Sequence, residues 1–157
     1  MRLIPALCAL LIAVPAAAQT QSLQPGGYGA PIEVADALAL IQRGMQQSAD
    51  KGLKMVFAVV EPSGELVAFA RMDDVPYASI QLAQQKARTS ARLRITTAEM
   101  EKRVQGGRPA LLSSDEVIAI GGGVPIIANG RVIGALRVSG GTAAEDDAVA
   151  VATIASR

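Results

Sequence analysis

The stretch "GGGVPIIANGRVIGALRVSGG", residues 121–141, constrains the fold more than any other part of the chain. Asn129-Gly130 is the dipeptide that best accepts positive φ at both central positions of a two-residue turn. It separates two β-rich runs, residues 124–128 and 131–139, so the block predicts a tight antiparallel hairpin. A nucleotide loop does not fit these glycines. The dinucleotide fingerprint would need its third glycine where Ile126 stands, and no Gly-Lys-Ser/Thr is present. Gly121, Gly122 and Gly123 then permit a bend or bulge, and Gly140-Gly141 permits entry into a final helix. The alternative for Ser139, Gly140 and Gly141 is a row of backbone donors facing an anion such as a carboxylate.

Upstream, Val34, Leu38, Ile41 and Met45 fall at helical spacing and Gly52 closes the run. Residues 55–61 and 66–72 read as strands joined by Pro62-Ser63-Gly64. Residues 78–93 form a second helix, on which Ala83, Ala87 and Ala91 make a small-residue face one turn apart. Thr96 to Glu99 resembles a capping box for a short helix ending at Gly106-Gly107, and Thr142 to Glu145 a second box for the terminal helix. A loop over 108–115 precedes a further expected strand at 117–120. The order is helix, two strands, two helices, three strands, helix. Strands in hairpin-linked groups imply an α+β fold with a five-stranded antiparallel sheet.

The N-terminus limits which residues enter that fold. Arg2, the apolar run over 3–14 and Ala16-Ala17-Ala18 have the order of a cleaved export signal, residues 1–18. A mobile leader, 19–31, and one domain, 32–157, follow, with export to the periplasm or medium expected. The apolar run is too short for a lone membrane anchor. Cys8 lies inside the signal, so roughly 140 mature residues must be held by an ordinary core without disulfides.

Composition excludes several functions. There is no histidine, which rules out Ser-His-Asp and Cys-His triads, structural zinc sites of the usual kind and histidine-ligated cofactors. With 15 basic and 14 acidic residues, two Phe, two Tyr and no Trp, neither charge nor stacking surface favours nucleic acid. No metal site is expected, although Glu145, Asp146 and Asp147 offer either a hard-cation cluster or a solvated, dipole-matched helix start.

Lys86 falls on the stripe of Ser79, Leu82 and Leu93, beside the alanine face, whereas Arg88 and Arg92 project from the wetter side. Lys86 is thus the cation best placed to line a pocket, the alternative being a stem that snorkels to water. Asp73-Asp74 reads as a turn.

Taken together, "VFAVVEPSGELVAFARMDDVPYASIQLAQQKARTSA" followed by the glycine-bracketed hairpin and an acidic helix start resembles the GlcG/HbpS family of haem-binding or haem-degrading-domain proteins. The resemblance covers the chain from Ile32 onward. It implies a profilin-like α+β domain, a homo-oligomer and a haem or related tetrapyrrole ligand. The matched marks are "RMD" at Arg71, "KARTSA" at Lys86, "GGGVPI" at Gly121 and "SGG" at Ser139. The family usually has glycine where this chain has Arg137, a cation that would narrow or re-charge a pocket beneath the last strand. For such a ligand the expected binding residues are Lys86, Arg88, Arg137, Gly122, Gly123, Ser139 and Gly140. In the absence of histidine, Met45, Met55, Met72, Tyr77 and Lys86 are the possible axial donors. An enzyme of haem breakdown or small-acid metabolism, and a signalling or structural oligomer without a ligand, remain as alternatives.

Overall fold

The computed structural model describes residues 26–157, so the expected export signal and residues 19–25 of the leader lie outside the described residues. Helix α1, Val34–Asp50, buries Ala37, Leu40, Ile41, Gly44 and Ser48 on one stripe. Strand β1, Val56–Val60, is buried at every position, as a central strand covered on both faces must be. Pro62-Ser63-Gly64 returns the chain into β2, Leu66–Arg71, with Gly64 at φ 90°. Helix α2 follows at Ala78–Leu93 and ends on Arg94 in the left-handed region. Helix α3, Thr97–Gln105, is capped by Thr96, which accepts a hydrogen bond from the Glu99 N–H, one half of the expected box. A 3-10 helix occupies Pro109–Ser113. Strands β3, Gly123–Ala128, and β4, Arg131–Ser139, form the hairpin, with Asn129 at φ 50° and Gly130 at φ 72° as a tight primed turn requires. Helix α4, Ala143–Ala155, opens with the complete capping box of Thr142 and Glu145.

The sheet is antiparallel in the order β2-β1-β4-β3. It therefore has four strands among the described residues, not the five expected. Residues 117–120 do not join it: the Val117 N–H turns back to the Ser114 carbonyl, and the Ile118 N–H bonds a threonine of α2. Thr89 Oγ1 donates to the Glu116 carbonyl at 2.7 Å and accepts from the Ile118 N–H at 3.0 Å. One hydroxyl thus ties the segment to the helix at Glu116 and Ile118.

Two cores result. On one face α1 and α4 pack Leu40, Ile41, Val149 and Ala150 against Phe57, Val59, Leu136 and Val138. On the other, Ala83, Ala87 and Ala91 let α2 lie close on Val56, Ala58, Val60 and Ala135. β4 runs beyond the end of β1, and residues 26–32 take the place beside it: the Gly29 and Ile32 N–H groups donate to Val132 and Ile133. The Tyr28 hydroxyl reaches across to the Arg92 carbonyl, and its ring lies 5.4 Å from the Arg94 guanidinium.

Candidate functional site

Lys86, Arg137, Gly121, Gly122 and Gly123 come together where α2, β3 and the start of α4 meet. The register pairs Gly123 with Arg137, and the Arg137 side chain turns inward beneath the glycine bend. It is fully buried. Its Nη1 donates to the Gly121 carbonyl and its Nη2 lies 2.9 Å from Asp146 Oδ2. Lys86, 1 % exposed, directs Nζ to the same carbonyl at 3.4 Å. Gly121 is also held through the preceding peptide, since its own N–H donates to Glu101 Oε2 at 3.0 Å. Gly122 sits at φ 108° and a Cβ there would run into the Arg137 guanidinium, so this position requires glycine on two counts. Gly123 donates its N–H to Thr97 Oγ1 at 2.8 Å, tying the bend to the start of α3.

Burial in this knot works against charge. It pulls the Lys86 ammonium down to about 8, with Arg137 adding repulsion while Asp146 and Glu101 pull it back up. Burial likewise lowers Arg137 to about 10, opposed chiefly by Asp146. It raises the Asp146 carboxyl, against the Gly141 N–H and the two cations. The acidic helix start is thus not a uniformly solvated cluster. Asp146 is buried and aimed at Arg137, whereas Glu145 caps α4 at the surface, so the three carboxylates do not converge. Among the described residues no group of three His, Cys, Asp or Glu side chains is placed to hold a metal ion.

The other expected residues lie elsewhere. Arg88 is outside the knot, 2.6 Å from Glu65, in a polar cavity of about 370 Å³ that includes Gln81, Gln84 and Gln85. Ser139 is buried on β4 opposite Val56. Gly140 passes so close to the Lys54 carbonyl that a Cβ would collide with it. Met55 belongs to the core, and its N–H donates to Met72 Sδ at 3.4 Å. Met45 and Met72 share a shallow cavity with Gln42, Gln46 and Ala49. Tyr77 is 80 % exposed under Arg71.

A further concavity lies outside the sequence expectations. The end of α2, α3 and the 3-10 helix enclose an apolar cleft of about 400 Å³ lined by Leu93, Ile95, Met100, Leu111 and Val117, with Arg103 at its edge. A neighbouring hollow of similar volume shares Ala110 and Leu111 and adds Arg108. The available signal is Leu111 and Val117, apolar residues on either side of a polar stretch at 113–116.

A family model described as "Haem degrading protein HbpS-like" matches residues 32–155. The chain belongs to the HbpS-like family. A curated relative, Protein GlcG of Escherichia coli (strain K12), is 37% identical over 103 residues, 66% of this chain and 77% of that protein. Among solved structures, Klebsiella pneumoniae protein ORFY has a TM-score of 0.76 at 30% identity, covering 81% of this chain and 90% of that one. The PduOC:heme complex has a TM-score of 0.74 at 26% identity, covering 81% and 95%. The HbpS-like chain shares their α+β layout.

Proposed function

We propose that this HbpS-like chain is an exported protein that binds haem or a related tetrapyrrole. The observation that carries the reading is its likeness to a relative solved with haem, over nearly the whole of that chain. Haem needs an apolar slot, cations for its propionates and preferably an axial donor. The Lys86–Arg137 knot does not fit those needs as placed, because both cations are sealed and directed at Gly121 and Asp146. The cleft beside α3 fits them better, with apolar walls and guanidinium groups at the edge. When bound, the group would supply iron coordination and redox chemistry; the chain's part is to enclose it, hold its carboxylates and exclude water. The knot's role in this reading is to fix the frame between α2, α3 and α4.

The test is addition of haem to the purified mature protein followed by gel filtration. A Soret band travelling with the protein is expected, and a protein fraction without one would sink the reading. Export is checked by intact mass, which should correspond to cleavage near Gln19. We also infer a profilin-like layout and a homo-oligomer. The latter is supported by Val34 and Leu38 exposed on α1 and Val151 exposed on α4, and light scattering should give at least a dimer mass.

A further inference from the structure

Several hollows among the described residues are open to a ligand, and their linings differ in chemistry. The cavity at Arg88 is walled by three glutamines and an Arg–Glu pair, with only Val60 and Leu66 as large apolar groups. That beside Tyr77 sets Asp73 and Asp74 against a single cation, Arg71, a balance that disfavours a dicarboxylate. The one at Met45 and Met72 is edged by Gln42 and Gln46 and has no cation. Of these, the trough formed by the two adjoining hollows around the 3-10 helix combines apolar walls with two arginines and has no acidic residue in its lining.

We infer that this trough is the tetrapyrrole site, with Arg103 and Arg108 as the carboxylate partners and Met100 as the sulfur donor in its wall. The assignment rests on the haem reading above. Leu93, Ile95, Leu111 and Val117 supply a surface on which a flat apolar ring is removed from water. Arg103 spends Nε on Glu99 at 3.1 Å, which orients the guanidinium and leaves its two terminal nitrogens for an anion. Arg108 is exposed at the other hollow. Two cations flanking one apolar trough match a ligand with an apolar plane and two carboxylates on its rim. Met100 is 4 % exposed and lines the cleft, so its thioether is shielded from water yet adjacent to the ligand's position. The wall opposite α3 is held by side chains of α2. Residues 114–120 are fixed to α2 through Thr89 and through Arg92, whose Nη1 lies 3.0 Å from Glu116 Oε1, and not through a strand ladder.

The experiment titrates the purified chain with haem and, separately, with iron-free protoporphyrin IX, following absorbance. Both ligands carry the same plane and carboxylates, so wild type should bind both. Arg103→Met with Arg108→Met should weaken both by at least tenfold. Ala110→Trp, at an exposed position that leaves the core untouched, should block both. Met100→Leu should shift the haem spectrum and leave protoporphyrin binding unchanged. Wild-type binding of both ligands with equal affinity in the arginine and Ala110→Trp variants overturns the site while sparing the haem reading. Failure of wild type to bind either ligand overturns both. Binding of haem without protoporphyrin removes the arginines from the assignment, and an unaltered haem spectrum in Met100→Leu removes Met100.

Discussion

Arg137 Nη2 and Asp146 Oδ2 meet 2.9 Å apart in a region closed to water, joining the last strand to the last helix. Breaking a buried pair leaves one desolvated charge, at a cost of about 3–5 kcal/mol. Asp146→Asn keeps an acceptor for the Gly141 N–H while deleting the charge. It and Arg137→Met should each destabilise on that scale in urea unfolding. The double variant should lose less than the sum, with a coupling of about 1 kcal/mol or more. Additive losses would mean that the two groups do not act as a pair.

Lys86 makes stability depend on pH in an unusual direction. Its folded value, about 8, lies below its ordinary 10.5, so between these values the unfolded chain holds more protons than the folded one. Stability from this group therefore rises with pH across that window, by on the order of 3 kcal/mol in full. Unfolding measured from pH 7 to pH 10 should show wild type gaining on Lys86→Met. A constant difference between the two would show that Lys86 is not held charged in a dry site at neutral pH.

Gly122→Ala and Gly130→Ala form a matched pair. Both glycines have positive φ, but nothing lies near a Cβ at Gly130, whereas one at Gly122 meets the Arg137 guanidinium and Asp146. The Gly130 change should cost about 1 kcal/mol, the backbone strain alone. The Gly122 change should cost several times more, because Arg137 must leave its partners. Equal melting temperatures for the two variants would contradict the packing described around Gly122.

Thr89→Val removes the hydroxyl that serves both Glu116 and Ile118 while keeping the shape of the side chain. Leaving those groups without their partner should cost about 1–3 kcal/mol. Hydrogen exchange at the Ile118 amide should accelerate, with little change in β4. Unchanged protection at Ile118 would show that the segment is held by something other than Thr89.

What the sequence disclosed follows the range of the forces involved. The Asn-Gly turn, the alanine face of α2 and the Thr142 box are local patterns, and each forms where its spacing places it. The strand expected at 117–120 fails because apolar composition does not say whether a partner will be a strand or a threonine on a helix. Asp146 was legible only as one of three adjacent acids, since its inward direction is set by Arg137, nine residues earlier and on another element. Lys86 was placed on the right face of α2. What sequence did not supply was that two other elements would close over it. The apolar cleft escaped for the same reason: Met100, Leu111 and Val117 become neighbours only after the 3-10 helix folds back on α3.

The way residues 26–32 enter the fold also decides where an attached probe would report. Tyr28 is tied to Arg92 and Arg94, on either side of Leu93 and next to Ile95, and both apolar residues line the cleft. The far end of α4 instead lies by α1, where Gln47 Nε2 donates to Ser156 Oγ at 3.4 Å. A fluorophore carried at Tyr28 would thus sit beside the end of α2 as a reporter of cleft occupancy. The same dye joined after Arg157 would serve as the reference on the opposite face of the sheet.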